Sequence, residues 1–231
     1  MENSEKKSLI STGSSNLAKT EKLLSITQKI LSEIKPKYES VKIGNQEWMT
    51  RNLDVERFRN EDEIPHVESD EEWEKVGKNG QPAWCYYDND SENGKKYGKL
   101  YNWHAVNDSR GLAPEDWYIP YDNEWTSLVE YLGEDVGYKM KSVEGWKGWE
   151  DESGANQNGS GNNTSGFNGL PGGYRNNNGS FYNIRDDAFF WSATEEDYNY
   201  AWYRNLKYYN SYVYKNNYFK SFGASVRCLR D

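Results

Sequence analysis

The chain has 231 residues, a net charge of −9 at pH 7 and an aromatic content of 16%, and its mean hydropathy is −1.09. This length suits one large domain, or one domain with a small appendage. Disordered chains are poor in aromatic residues, so the composition predicts a folded core built mainly from rings. No cluster of lysines and arginines is present, which argues against nucleic acid or an anionic membrane surface as a partner.

The N-terminal part is predicted to lie outside the main domain. Residues 1–15 are polar and predicted to be disordered, and residues 16–40 are predicted to form an amphipathic helix and a linker. Leu17, Leu24 and Leu31 follow one another at heptad spacing in that helix. Two interpretations remain open: the helix docks on its own domain, or it joins copies of the chain in an oligomer.

The sequence also suggests a location. It shows neither a signal peptide nor an apolar run of transmembrane length, which predicts a cytoplasmic protein without membrane insertion. A surface or extracellular location is the alternative if a signal segment has been removed.

Two segments in the first half of the main domain have sequence patterns that predict local structure. Residues 41–49 alternate as strands do and are predicted to form a hairpin that turns at Gly44 and Asn45. Residues 97–106 are mixed in character and predicted to be partly helical.

A short amphipathic helix is predicted next. Its apolar positions recur at helical spacing, at Trp125, Leu128, Val129 and Leu132. Asp122 is predicted to cap the N-terminus, and Gly133 is predicted to lie just past the C-terminus.

Glycine and asparagine dominate residues 151–180. Gly172 with Gly173, and residues 176–179, are predicted to form turns within a long irregular region. Such a loop in a compact domain is usually functional or structurally specialised. Short alternating strands are predicted from there to the C-terminus.

Tyrosine and asparagine dominate residues 197–218, whose sequence is DYNYAWYRNLKYYNSYVYKNNY. Antibody paratopes have this composition, because tyrosine rings supply rigid contact area and short polar side chains supply adaptable hydrogen bonds. The segment therefore predicts a binding protein rather than an enzyme.

Six motifs resemble those of the Fibrobacter major paralogous domain family and occur in the expected order between residues 41 and 231. They are VKIGNQEWMTRNL (41–53), YGKLYNW (97–103), LAPEDWYIP (112–120) followed by Glu124 and Trp125, SGFNGLPGGYR (165–175), FWSAT (190–194) and SVRCL (225–229). The resemblance implies an α+β C-type lectin-like domain of the formylglycine-generating-enzyme type over residues 41–231. Such a domain has a small twisted antiparallel sheet, two helices and long loops.

An enzymatic function is the least favoured implication of this resemblance. Formylglycine-generating enzymes bind copper through a cysteine pair, and related sulfoxide synthases use a histidine-rich iron site. Here Cys85 and Cys228 are far apart in sequence and predicted to be buried free thiols, and His66 and His104 are the only imidazoles. We expect no catalytic residue and no copper or iron, and we expect the acidic run at 68–72 to be a solvated face or a helix start.

A carbohydrate-binding lectin is the second implication. Aromatic rings suit stacking on sugars, but the calcium motifs of sugar-binding C-type lectins are missing. Structural calcium remains an option at Asp88-Asn89-Asp90 or at Asp151-Glu152, although neither supplies a complete set of oxygen ligands.

The favoured hypothesis is similarity to the variable proteins of diversity-generating retroelements, which mutate template adenines and display the altered residues on this scaffold. Strand alternation separates predicted scaffold positions from predicted ligand-binding positions. The scaffold positions are Trp191, Ser192, Thr194, Ala201, Trp202, Leu206, Val213, Lys220, Gly223, Val226 and Arg227. The ligand-binding positions, expected to form one largely exposed patch for a protein or carbohydrate ligand, are Tyr198, Asn199, Tyr200, Tyr203, Asn205, Tyr208, Tyr209, Asn210, Tyr212, Tyr214, Asn216, Asn217 and Tyr218. An AT-rich genome is the alternative explanation of this composition.

Several single residues are predicted to be structural. Core positions are predicted for Trp103, Trp117, Trp125 and Trp191. His104 is expected to be packed or hydrogen-bonded, and Arg227 is expected to donate hydrogen bonds to buried carbonyls.

Overall fold

The computed structural model describes residue 20, residues 22–25 and residues 38–231. Residues Glu39–Asp231 form one compact unit of mixed α and β structure. Residue 20 and residues 22–25 are helical. Of the predicted linker, residues 38–40 are described, and Ser40 already begins the first strand. The predicted disordered segment and the rest of the predicted helix and linker lie outside the described residues. No helix in the described ranges is long and apolar enough to span a bilayer.

The described residues contain thirteen strands, numbered in chain order. They are β1 (Ser40–Ile43), β2 (Gln46–Met49), β3 (Trp84–Cys85), β4 (Leu100–Tyr101), β5 (Trp117–Tyr118), β6 (Trp149–Glu150), β7 (Asn156–Gln157), β8 (Gly172–Arg175), β9 (Phe181–Ile184), β10 (Asp187–Glu195), β11 (Tyr200–Lys207), β12 (Val213–Phe219) and β13 (Leu229–Arg230). The helices are α1 (Asp70–Lys78), α2 (Ser91–Tyr97), α3 (Trp103–Val106), α4 (Asp122–Leu132) and α5 (Val136–Met140), with a 3₁₀ turn at Tyr87–Asn89.

Two sheets organise the unit. One has four strands in the order β1-β2-β13-β5, and the other has five strands in the order β12-β11-β10-β8-β9. Strands β3 with β4, and β6 with β7, form separate two-stranded ribbons. Neighbouring strands are antiparallel except β8 and β10, which pair in parallel at Gly173 and Ala188.

The predicted hairpin at 41–49 is confirmed. Strands β1 and β2 pair in register from Ser40 opposite Met49 to Ile43 opposite Gln46. Gly44 has a φ of 61°, a left-handed conformation that glycine adopts without a side-chain clash. Residues 97–106 are partly helical, as predicted, because α3 begins at Trp103 after the short strand β4.

Helix α4 is confirmed, but its N-terminus differs from the prediction. Tyr121 takes the capping position, and its backbone N–H donates to the Glu124 carboxylate at 2.7 Å. Asp122 is the first residue of the helix and not its cap. Its carboxylate accepts a hydrogen bond from Arg204 in β11 of the five-stranded sheet. Gly133 ends the helix with a φ of 65°, as predicted.

The glycine-rich region holds both an error and a confirmed turn. Gly172 and Gly173 do not form the predicted turn, because they begin strand β8, which pairs with β9 and β10. Residues 176–179 do turn, since the Gly179 N–H donates to the Asn176 carbonyl at 3.0 Å between β8 and β9.

The core consists mainly of rings, as the composition predicts. Trp48, Trp125, Phe167 and Phe190 pack together, with ring centroids 4.7 to 5.9 Å apart. The core therefore joins α4, the face of the five-stranded sheet that packs on it, and the four-stranded sheet. Each tryptophan predicted to be in the core is buried, namely Trp103, Trp117, Trp125 and Trp191.

Arg227 confirms the prediction of a structural donor. Its guanidinium is fully buried and donates to the carbonyls of Met49 and Phe167 and to Asn52 Oδ1. Burial lowers the pKa of Arg227 to about 9. The side chain thus links β2, the loop before β8 and the last segment of the chain.

Candidate functional site

The hairpin of β11 and β12 carries most of the Tyr/Asn-rich segment and forms one edge of the five-stranded sheet. In β11, alternate residues point to opposite faces. Arg204 and Leu206 face α4 and the core, while Tyr203 and Asn205 face the other way. The face toward α4 is called the helix-side face here, and the opposite one is called the open face.

The thirteen predicted ligand-binding residues do not form one patch. Five are exposed, and these are Tyr198, Asn199, Tyr209, Tyr212 and Asn216. Seven are half-buried, and these are Tyr200, Tyr203, Tyr208, Asn210, Tyr214, Asn217 and Tyr218. They are distributed over the open face, the helix-side face and both ends of the hairpin, because register and turns separate residues that are close in sequence.

Asn205 contradicts the expectation of exposure. Its side chain is 2% exposed, and its Nδ2 donates to the Ala188 and Leu206 carbonyls at 3.0 and 3.3 Å. β11 is an inner strand, with β10 on one side and β12 on the other. Asn205 is therefore buried beneath the open face, at the base of a pocket.

That pocket, called the sheet-face pocket here, has a volume of about 240 Å³. Every strand of the five-stranded sheet contributes to its lining. Four predicted ligand-binding residues meet there, namely Tyr203, Asn205, Asn216 and Tyr218.

Five aromatic residues line the sheet-face pocket. Phe222 follows β12, and its ring lies 5.1 Å from Tyr218, 5.6 Å from Phe189 and 4.8 Å from Tyr174. Phe189 and Phe222 are buried, whereas the tyrosines are only half-buried. The tyrosines therefore offer ring surface and hydroxyls to a bound molecule.

Two charged residues, Asp187 and Lys207, line this pocket. Asp187 begins β10 and is only 7% exposed, and its Oδ2 accepts a hydrogen bond from Asn183 Nδ2 at 2.9 Å. Burial raises the pKa of Asp187 above its ordinary value. Across the described part of the chain no donor reaches its second oxygen, Oδ1, which leaves that oxygen available to a ligand.

Lys207 stands opposite Asp187 in the β10–β11 register, and its charge works against burial by lowering the pKa of Asp187, although the two side chains form no ion pair among the described residues. The Lys207 ammonium instead lies 4.9 Å from the centre of the Tyr214 ring and 5.7 Å from that of Tyr209. The Asp187 carboxylate thus remains without a cation in contact.

The hydroxyl of Tyr203 stays protonated in this setting. Burial, reinforced by the nearby Tyr174, Tyr218 and Asp187 side chains, raises the pKa of Tyr203 to about 12. The pocket consequently offers neutral hydroxyls beside one carboxylate, one ammonium and several amides.

A second cavity of about 650 Å³ lies beside α3 and includes Tyr198 and Asn199. Lys220 contacts Glu195 there and lies 4.9 Å from the centre of the Trp103 ring. His104 is half-buried, and burial lowers its pKa despite a hydrogen bond with the Gly77 backbone. This agrees with the prediction of a packed or hydrogen-bonded histidine, and the Lys220 ammonium also donates to the Tyr198 carbonyl at 2.8 Å.

The two cysteines that were candidates for metal binding lie in the interior of the fold. Cys85 and Cys228 are free and buried as predicted, and burial raises the pKa of each thiol to about 12. No group of three or more His, Cys, Asp or Glu residues able to hold a metal occurs among the described residues.

The acidic segments considered earlier also serve local structure. The run at 68–72 starts α1, where Ser69 accepts from the Glu72 N–H, which confirms the helix-start interpretation. Asp90 caps α2 through the Glu92 N–H. The Asp151 carboxylate accepts from Ser153, Ala155 and Gln157, so its oxygens are already occupied.

The sequence did not single out Tyr174, Asp187 or Phe222. These residues come from β8, from β10 and from the segment after β12. One signal was available for Asp187, because it directly precedes the apolar run Ala188, Phe189, Phe190 and Trp191 and so begins a buried strand.

Comparison with protein families gave one match. The model of the Fibrobacter succinogenes major domain matches residues 41–230, a range that includes every residue lining the sheet-face pocket. Comparisons with curated proteins and with solved structures gave no match.

Proposed function

Over residues 41–230 the chain belongs to the Fibrobacter succinogenes major domain family, and we propose that it is a ligand-binding protein rather than an enzyme. The proposed binding surface is the open face of the β11–β12 hairpin, centred on the sheet-face pocket. The partner would be a protein or a carbohydrate.

One observation carries this proposal. The open face gathers tyrosine rings, amides and an available carboxylate oxygen around one cavity. Ligand sites combine aromatic surface with a few polar groups in this way. The buried thiols, by contrast, offer no nucleophile, so the proposal includes no reaction.

The finer fold assignment belongs to the same proposal. A C-type lectin fold of the formylglycine-generating-enzyme type is supported by the order of the six motifs. The mixed α+β architecture, with mainly antiparallel strands and few helices, is compatible with it.

Diversification by a retroelement is supported by the contrast between the two predicted sets of residues. The scaffold positions are buried at Trp191, Ser192, Ala201, Leu206, Lys220, Gly223, Val226 and Arg227, and half-buried at Thr194, Trp202 and Val213. Most predicted ligand-binding positions are more accessible than these. A near-identical DNA repeat that differs mainly at adenines, next to a reverse-transcriptase gene, would support this proposal, and its absence from the genome would contradict it.

Binding is tested by screening protein and glycan arrays with the full chain and with a variant of the open face. Tyr203→Ala with Tyr218→Ala should remove each specific signal, since truncating a binding hot spot costs about 2 kcal/mol or more. Tyr131→Ala is the matched control, because this tyrosine is 67% exposed on α4. If the double variant and the control lose the array signals equally, or if both keep them, the binding surface lies elsewhere.

A carbohydrate ligand is the second candidate, and the pocket itself favours it. Asn183, Asn205 and Asn216 supply amides beside the half-buried tyrosine rings. Sugars combine such hydrogen bonds with stacking on a ring.

A further inference from the structure

Asp187 is buried on the open face without a cation in contact. A buried carboxylate is costly unless it is paired, because it loses its hydration. Asn183 satisfies one oxygen at 2.9 Å. Lys207, its register partner, lies over the Tyr214 ring and acts on Asp187 through the pocket without contacting it. This arrangement leaves a site for a cation from outside the chain.

The rings around Asp187 favour an organic cation. The face of an aromatic ring attracts a cation that lies within about 6 Å of its centre. Tyr174, Phe189, Tyr203, Tyr218 and Phe222 line the same cavity as the carboxylate. An ammonium group would thus meet ring surface and a negative charge together.

A metal ion fits this pocket poorly. Calcium takes about six to eight oxygen ligands and magnesium keeps a tight octahedral shell. Here one carboxylate is surrounded mainly by rings and amides. An ammonium group needs fewer oxygen ligands and gains from ring contact.

From these contacts we infer that the sheet-face pocket binds a methylated organic ammonium group, with Asp187 as its counter-ion. This inference rests on the proposed ligand-binding function and names the chemical class of the ligand. The net charge of −9 favours the approach of cations to the protein. The positive charge of Lys207, which lines the same pocket, weakens the binding of a cation there.

The test titrates the full chain with choline and with 3,3-dimethyl-1-butanol, which has the same shape without the charge, by isothermal titration calorimetry. Choline should bind with a dissociation constant on the order of 1 mM, and the alcohol should bind at least roughly tenfold more weakly. Equal binding of the two compounds would overturn the inference.

Two variants separate charge from shape. Asp187→Asn keeps the size of the side chain and should reduce choline binding roughly tenfold or more. Lys207→Met removes the opposing charge and should tighten choline binding several-fold, while leaving the alcohol unchanged. Choline binding that survives Asp187→Asn, or that weakens in Lys207→Met, would contradict the assignment. Circular dichroism and melting curves confirm that each variant is folded.

The outcome also separates this inference from the proposed function. If choline does not bind, but an array ligand is lost on Tyr203→Ala with Tyr218→Ala, the open face still binds a ligand and only the ammonium assignment fails. If neither choline nor any array ligand depends on the open face, both fail.

Discussion

The two faces of the five-stranded sheet differ in how an aspartate is paired. On the helix-side face, Asp122 accepts from Arg204 at 2.6 Å and from Lys215 at 2.8 Å. On the open face, Asp187 is more buried and has one amide partner and no ion pair within the described residues. The comparison shows that one sheet makes a fully paired structural contact with α4 on one face and leaves a carboxylate without an ion pair on the other.

The largest expected effect comes from breaking the structural face. Arg204→Ala should lower the free energy of unfolding by about 3 kcal/mol, because it removes buried charge-assisted hydrogen bonds to Asp122 and leaves only the more exposed Lys215 as its partner. The Arg204 side chain is only 3% exposed. Urea unfolding followed by tryptophan fluorescence measures this loss.

Lys215→Ala is the matched control, since it removes the other cation from the same aspartate. Its side chain is 46% exposed, so the variant should cost less than about 1 kcal/mol. If the two variants cost the same, the Asp122–Arg204 contact does not hold α4 to the sheet.

The turn of the hairpin provides a second contrast. Tyr208 packs against the core beside Lys147, whereas Tyr212 is 65% exposed. Tyr208→Ala should cost roughly 2 kcal/mol of unfolding free energy, and Tyr212→Ala should stay within about 0.5 kcal/mol of the wild type. Equal losses in urea unfolding would show that the whole turn belongs to the core.

The pH dependence of stability should show the smallest effects, and the contributions of Asp187 and Asp122 should have opposite signs. Burial raises the pKa of Asp187 from 3.8, so between 3.8 and the raised value the folded state binds more protons than the unfolded chain. Stability from Asp187 therefore falls as pH rises through that window, and the loss persists at neutral pH. Asp187→Asn should accordingly gain stability relative to the wild type as pH rises.

Asp122 is the internal reference for this titration. Burial alone would raise its pKa, but the hydrogen bonds from Arg204 and Lys215 lower it overall. Its stabilisation is therefore present above the unfolded pKa and is lost as pH falls through the folded value. Asp122→Asn should lose stability relative to the wild type as pH rises. If stability changes with pH in the same direction in Asp122→Asn and Asp187→Asn, the roles given to both aspartates are contradicted.

The parts of the fold that follow local rules could be predicted from the sequence. The hairpin at 41–49 and helix α4 depend on alternation, helical spacing and glycine, which act within a few residues. The buried tryptophans follow from composition, since this chain has few other large apolar side chains.

The pocket could not be predicted, because it depends on contacts between distant segments. Asp187 meets Tyr174 only because β8 and β10 pair in parallel, and Phe222 arrives after the chain has left β12. Composition identified the Tyr/Asn-rich hairpin but carried no information about its register. Asn205 is buried for that reason, although its neighbours in sequence share its composition.

The most direct test of the division between the two faces compares Asp122→Asn with Asp187→Asn by urea unfolding at about pH 7. Asp122→Asn should lose about 1–3 kcal/mol, because Arg204 is left buried beside an uncharged amide. Asp187→Asn should keep or exceed wild-type stability, since it removes a buried charge and retains a partner for Asn183. A loss in Asp187→Asn as large as that in Asp122→Asn would show that Asp187 is structural and would contradict the account.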